Sequence, residues 1–161
     1  SDFKSAVISK SQEIKNLGYP VTYQKNFKDL LPESDLLVLA LPMCSATKHI
    51  VNDQTLKMLP EGARIVNIGR GGLIDTTALL RALKSGKLSG AALDVFEDEP
   101  SIDDDLCSRW DVILTPHIGS STHENVLGAE KICMDNIFNL FYGDGNSLSI
   151  VNEEYLNKLL K

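Results

Sequence analysis

The sequence predicts an α/β fold built on a doubly wound, mostly parallel sheet. Three observations support it: the apolar runs are short, they alternate with helical patterns, and polar residues, Gly or Pro follow each of them. Four runs are rich in large or β-branched apolar residues: Leu36–Leu41, Arg64–Ile68, Ala91–Phe96 and Val112–Leu114. Such runs are typical of strands buried on both faces, and intervening helices make successive strands parallel.

The elements before these runs are shorter. Ala6–Ile8 is a predicted strand, and Val21–Tyr23 is a weaker strand candidate after a Gly-Tyr-Pro turn. Asn26 is predicted to cap a short helix that ends at Pro32, because proline cannot continue a helix.

Two helices are predicted between the central strands. The first is capped by Asn52 and ends near Gly62. The second is capped by Asp75 and has a buried leucine stripe. It ends at Gly86, because glycine readily adopts the left-handed backbone conformation common at helix C-termini.

The predicted helix that follows the run Val112–Leu114 is the longest. Ser121 and Glu124 match a capping box, and the helix extends to about Tyr142 before Gly143 ends it. A strand-like run, Leu148–Val151, and a short helical pattern follow.

Composition excludes several classes of function. The chain has 161 residues, a net charge of −6 and a pI of about 5.0, which argues against a nucleic-acid or anionic-membrane surface. Its longest apolar run is too short to span a bilayer, and no secretory leader is expected. The cysteines have no zinc-binding spacing, so no metal is expected. We interpret them as reduced thiols of a cytoplasmic protein, with Cys44 a small apolar filler rather than a reactive thiol.

One residue able to do chemistry follows each of three predicted strands: Arg70, Glu99 and His117. In an open parallel sheet, ligands bind outside the carboxyl ends of the strands, so we expect these three to meet in one cleft. Arg70, among glycines, could bind a carboxylate, although a solvated turn or a phosphate-binding loop would also fit. His117 could transfer a proton, and a neighbouring Glu99 would favour its protonated form.

Asp94 interrupts the apolar run Ala91–Phe96. A buried carboxylate needs a partner, so Asp94 is expected to bind either a ligand amide or a neighbouring loop.

Three segments resemble, in order and spacing, the signature segments of the D-isomer-specific 2-hydroxyacid dehydrogenases: Asn67–Asp75, Ala91–Pro100 and Thr115–Ser120. The resemblance covers nearly the whole chain and implies a Rossmann-like fold. It further implies that Arg70 binds a 2-oxo acid, that His117 protonates its carbonyl oxygen, and that Glu99 orients His117.

The same resemblance implies a set of cofactor-binding residues. Asp94 would hold the nicotinamide carboxamide, with Arg70 and His117 beside the ring. The remaining cofactor-lining residues would be Leu41, Pro42, Ile68, Gly69, Gly119 and Ser120.

The cofactor itself can be argued from Ser9, Lys10 and Ser11. NAD enzymes place an acidic residue at this strand end, whereas these hydroxyls and this cation suit a 2′-phosphate. The sequence therefore favours NADP, with NAD as the alternative, and resembles glyoxylate/hydroxypyruvate reductases.

The chain departs from the family in one respect: it has no G-x-G-x-x-G. We therefore expect an incomplete fold, without the glycine-rich loop and the first strand. Residues 1–147 are expected to be a partial dinucleotide-binding domain, and residues 148–161 a return segment toward a substrate domain.

The sequence thus predicts part of an oxidoreductase that acts on a small 2-oxo acid, inactive alone and a homodimer when full length. The alternative is a non-enzymatic, dinucleotide-sensing corepressor of the same fold, because the family's corepressors keep the same triad.

Overall fold

The computed structural model describes residues 22–143, which belong to two compact units. The first unit ends at Leu114 and contains the sheet, and the second begins at Thr115 and contains one long helix. The predicted elements Ala6–Ile8 and Leu148–Val151 lie outside the described residues.

Over residues 22–114 the first unit has four parallel strands, which are adjacent in chain order. They are β1 (Leu36–Leu39), β2 (Ala63–Asn67), β3 (Leu88–Leu93) and β4 (Val112–Leu114). Because all four run the same way, their carboxyl ends share one edge of the sheet, as the predicted α/β class requires.

One face of this sheet carries the core. Leu37, Ile65 and Ala91 lie in register across three strands and are 3%, 0% and 7% exposed. Helices of the same unit contribute buried residues to the same cluster, among them Leu56, Leu79 and Leu83.

The opposite face of the sheet is not buried throughout. Leu36 and Val38 of β1 are 54% and 50% exposed, and Ile113 of β4 is 68% exposed. The prediction that every strand is buried on both faces is therefore wrong for β1, which alternates between exposed and buried residues, and for β4, whose three residues are half-buried, exposed and half-buried.

The strand β3 lies three residues earlier than the predicted run Ala91–Phe96. It begins at Leu88, and Asp94 falls just after its end rather than inside it. The weaker strand candidate, Val21–Tyr23, forms no strand over its described residues, Thr22 and Tyr23.

Helices α1 (Phe27–Leu30), α2 (Asp53–Met58), α3 (Thr76–Ser85) and α4 (Asp104–Cys107) belong to the first unit. The caps Asn52 and Asp75 are confirmed, since the Asn52 side chain accepts from the Thr55 amide and Asp75 accepts from Ala78. Asn26 precedes α1 as predicted, but its side chain bonds the Asp29 carboxylate instead of capping the helix.

The second unit contains α5 (His123–Tyr142). Its N-terminal cap is Thr122, whose hydroxyl accepts from the Asn125 amide at 3.2 Å. The predicted Ser121–Glu124 capping box is therefore wrong by one residue. Among residues 22–143, every helix is either too short or too polar to span a bilayer.

Candidate functional site

The carboxyl ends of β1 and β2 approach closely. The Ile68 amide donates to the Leu39 carbonyl at 3.0 Å, and a Cβ on Gly69 would lie 2.7 Å from the Leu41 carbonyl oxygen. Only glycine fits at that distance, so Gly69 lets the two strand ends lie side by side. Leu41 and Gly69, both predicted to line a cofactor, are thus brought together, and Pro42 and Ile68 are the neighbouring residues.

Asn67 fixes the turn that follows β2. Its side-chain oxygen accepts from the Gly69 amide at 3.1 Å, and its side-chain nitrogen donates to the Arg70 carbonyl at 2.9 Å. It is 1% exposed, so these bonds are made away from water. The sequence prediction did not assign Asn67 a role, although an amide inside an apolar run was a signal that it needed buried partners.

Arg70 stands on this turn with an extended backbone, directly before the 3-10 turn Gly71–Leu73. Its side chain is exposed, and Nη1 donates to the Gly69 carbonyl at 2.7 Å. One bond of the guanidinium is therefore internal, and its other donors can face a ligand.

Asp94 lies at the neighbouring strand end. Its amide donates to the Asn67 carbonyl at 3.0 Å, and the residue is 8% exposed. The structure therefore places Asp94 beside the turn that carries Arg70.

The loop that carries Glu99 packs directly on that turn. A Cβ on Gly71 would lie 1.9 Å from the carbonyl carbon and oxygen of Phe96, so only glycine allows the contact. Glu99 Oε1 accepts from the Phe96 amide at 2.8 Å, which folds the carboxylate back onto its own loop. The backbones that carry Arg70 and Glu99 are therefore neighbours.

His117 belongs to the second unit. It adopts a left-handed backbone, with φ of 53°, and its amide donates to the Thr115 carbonyl at 3.0 Å. A non-glycine residue rarely adopts this conformation, and such residues are concentrated at functional sites. The meeting of His117 with Arg70 and Glu99 stays a prediction.

Gly119 and Ser120 follow in the same loop, and the Ser120 carbonyl accepts from the Asn125 side chain at 2.7 Å. Their predicted part in cofactor binding stays untested. Ser9, Lys10 and Ser11 lie outside the described residues.

Cys44 lies in the loop after β1 and is exposed, so its interpretation as an apolar filler is wrong. Its pKa is lowered, first by the hydrogen bond from the Thr47 hydroxyl and then by the backbone amides of Ala46 and Thr47. All three cysteines are free thiols.

A parallel sheet whose strand ends carry close-approach glycines, an arginine turn and a buried carboxylate defines a Rossmann-like α/β domain of the dinucleotide-binding kind. The chain belongs to the D-isomer specific 2-hydroxyacid dehydrogenase family, whose NAD binding domain matches residues 2–119.

Relatives with assigned activities agree with this family. A glyoxylate reductase of Pyrococcus furiosus is 45% identical over 115 residues, which are 71% of this chain and 33% of the relative. The chain thus spans about a third of the length of that relative.

Solved structures show the same fold. The glyoxylate reductase of Paecilomyes thermophila matches 80% of this chain and 39% of its own, with a TM-score of 0.74 and 37% identity. The NADPH-dependent glyoxylate/hydroxypyruvate reductase of Sinorhizobium meliloti, solved with NADP and malonate, matches 92% of this chain and 50% of its own, with a TM-score of 0.77 and 29% identity.

Proposed function

We propose that the chain is the dinucleotide-binding part of a reductase that converts a small 2-oxo acid, of the glyoxylate or hydroxypyruvate type, to its D-2-hydroxy acid. The observation that carries the proposal is the packing of Gly71 on Phe96, because it holds the Arg70 turn against the Glu99 loop. The similarity to glyoxylate reductases supports the substrate class.

The residues at the strand ends fit a nicotinamide dinucleotide. Ile68 is 56% exposed and offers an apolar surface, Gly69 permits close approach, and Asp94 supplies a carboxylate that can accept from an amide. Leu41, Pro42, Gly119 and Ser120 complete the proposed cofactor site, and the bound nicotinamide supplies the hydride.

Arg70 binds the substrate. Its guanidinium donates to the carboxylate and to the carbonyl oxygen of the 2-oxo acid, which orients the carbonyl carbon and stabilises the negative charge that develops on that oxygen.

His117 is the general acid. In its protonated form it donates to the carbonyl oxygen and transfers the proton as that oxygen becomes an alkoxide. Glu99 accepts from the other ring nitrogen and thereby favours the protonated, correctly oriented imidazole.

Ser9, Lys10 and Ser11 favour NADP over NAD, because two hydroxyls and a cation can bind a 2′-phosphate, whereas the acidic residue that would bind the ribose hydroxyls is absent from this position.

We also propose that the chain acts within a longer, cytoplasmic, homodimeric protein. Residues 1–147 would form the dinucleotide-binding domain, and residues 148–161 would return toward the substrate domain. The short share of each relative that the chain covers supports the greater length of the protein.

The test is a turnover assay on the longer polypeptide. Oxidation of NADPH and of NADH is followed with glyoxylate and hydroxypyruvate, and His117→Asn is expected to lower kcat by about 10²–10⁴-fold. His123→Asn, which changes another exposed histidine of the same unit, is the matched control and should leave kcat unchanged.

A wild-type protein that binds NADPH tightly but reduces no 2-oxo acid would contradict the proposal and favour the dinucleotide-sensing corepressor.

A further inference from the structure

A polar cluster lies beside the Arg70 turn and the Glu99 loop, and the proposed mechanism does not use it. His49 Nε2 lies 2.5 Å from Glu97 Oε1, and the Thr76 hydroxyl donates to Glu97 Oε2 at 3.2 Å. The three residues come from three segments: the loop after β1, the first turn of α3 and the loop after β3. The cluster therefore joins the segments that follow β1, β2 and β3.

His49 is held by its backbone as well as by its ring. Its amide donates to the Gly72 carbonyl at 2.8 Å, and its carbonyl accepts from the Asn52 side chain at 2.8 Å. Its φ of 49° lies in the left-handed region, which a non-glycine residue occupies only where the surroundings enforce it. The imidazole is thus presented to Glu97 from a fixed position.

Both carboxylate oxygens of Glu97 therefore have hydrogen-bonding partners, and its backbone nitrogen packs closely against Gly71. A Cβ on Gly71 would lie 2.5 Å from the Glu97 nitrogen, so the start of this loop rests on the Arg70 turn. Glu99 lies two residues further on and accepts from the Phe96 amide at 2.8 Å. The position of the Glu99 carboxylate consequently depends on where Phe96 and Glu97 are held.

We infer that Glu97, held by His49 and Thr76, is a positioning residue that fixes the loop carrying Glu99. The inference rests on the proposed function, because it acts through Glu99. The side chains of His49 and Glu97 are 36% and 29% exposed, so their pairing contributes little to overall stability. Its main effect is to hold geometry, and small displacements of a catalytic group are costly.

The experiment compares Glu97→Ala with Asp98→Ala in the longer polypeptide. Asp98 is an exposed carboxylate on the same loop, so its loss removes the same charge without touching the cluster. Glu97→Ala should lower kcat by about ten- to a hundredfold, because the loop that positions the Glu99 carboxylate is no longer fixed. KM for the 2-oxo acid should change little, because Arg70 is untouched, and Asp98→Ala should leave both constants unchanged.

Conservative variants separate positioning from folding. Glu97→Gln keeps an oxygen and an amide that can bond His49 and Thr76, so most of kcat should return. His49→Asn keeps a residue that tolerates left-handed φ but removes the ring, and it should reproduce the loss seen with Glu97→Ala. Retained binding of NADPH shows that each variant is folded.

Hydrogen exchange supplies a readout that does not need turnover. The Phe96 amide, which donates to Glu99, should exchange faster in Glu97→Ala than in Asp98→Ala. Unchanged exchange at Phe96, or an active enzyme whose kcat is insensitive to Glu97→Ala, overturns the inference. A wild-type protein without turnover refutes the proposed function instead. If the Phe96 amide then still exchanges faster in Glu97→Ala, Glu97 anchors the loop but has no catalytic role.

Discussion

Arg109 and Asp111 form a bidentate ion pair just before β4. Arg109 Nε and Nη2 donate to the two oxygens of Asp111 at 2.8 and 2.7 Å, and the Asp111 side chain is only 9% exposed. The Asp111 carbonyl accepts from the Ala91 amide, so the pair also steadies the pairing of β3 with β4. The hydrogen bonds from Arg109 are the main reason that the pKa of Asp111 is lowered.

The sign of the pH dependence follows from that direction. Because the pKa of Asp111 is lower in the folded than in the unfolded chain, the pair stabilises the fold above the unfolded value of about 3.9 and loses that effect as the pH falls through the folded value. Asp111→Asn should therefore lower Tm at pH 7 and lower it progressively less toward pH 2. Thermal unfolding followed by circular dichroism from pH 7 to pH 2 measures this.

The Asp53–Arg81 pair is the matched control. It has the same bidentate geometry and a lowered pKa for Asp53, but its side chains are 53% and 55% exposed. Solvent screens such a pair, so Asp53→Asn should have a smaller effect on Tm. An equal or larger effect of Asp53→Asn would contradict the reasoning from burial.

Among the elements, α3 ends at Gly86, whose φ of 78° is left-handed. An added Cβ would meet nothing within 4 Å there, so the cost of Gly86→Ala comes from the backbone conformation alone. We expect it to lower the free energy of unfolding by about 1 kcal/mol.

Gly128, inside α5, also has open space, but its backbone is helical. Gly128→Ala should therefore raise the free energy of unfolding by up to about 1 kcal/mol.

Urea unfolding of the two glycine variants, followed by circular dichroism, checks these opposite signs. The prediction fails if Gly86→Ala proves neutral or if Gly128→Ala destabilises the protein.

Sequence reasoning succeeded for elements whose signals are local. Asn52, Asp75 and Gly86 were assigned correctly, because capping and the left-handed C-terminal residue depend on a few neighbouring residues. The cap of α5 was misplaced because Ser121 and Thr122 are both suitable caps, and the sequence does not decide between them.

The start of β3 was missed for a tertiary reason. Ser89-Gly90 resembles a turn, yet Gly90 lies within the strand, where an added Cβ would come within 3.0 Å of the Asp111 carbonyl oxygen. Glycine is needed at position 90 because the backbone of the segment before β4 approaches closely. The local sequence pattern does not show this tertiary contact.

At the scale of the whole molecule, the parallel sheet predicted from the sequence is what led to the proposed site, and the strands of residues 22–143 have the parallel order β1-β2-β3-β4. It places the residues after successive strands at one edge, and the contact between Gly71 and Phe96 follows from it. The exposure of Leu36, Val38 and Ile113 could not be inferred, because an apolar run predicts a strand without saying what covers each face.

The last prediction concerns activity of these 161 residues by themselves. They contain no G-x-G-x-x-G, the loop whose backbone amides bind the pyrophosphate at a helix N-terminus in this kind of domain, and they span about a third of the length of the glyoxylate reductase of Pyrococcus furiosus. A dinucleotide would then be held by the strand ends alone. We therefore expect no measurable oxidation of NADPH with glyoxylate, and at least about tenfold weaker NADPH binding than in the longer polypeptide, since about 1.4 kcal/mol of lost contact suffices for that factor.

Loss of absorbance at the nicotinamide band measures turnover, and quenching of protein fluorescence by NADPH measures binding. The longer polypeptide serves as the positive control, and its His117→Asn variant serves as the negative one. Turnover by the 161 residues above that of the His117→Asn control would show that Arg70, Glu99 and His117 suffice without the glycine loop. Electrostatic stabilisation of the transition state would then come from these strand-end residues rather than from contacts with the pyrophosphate.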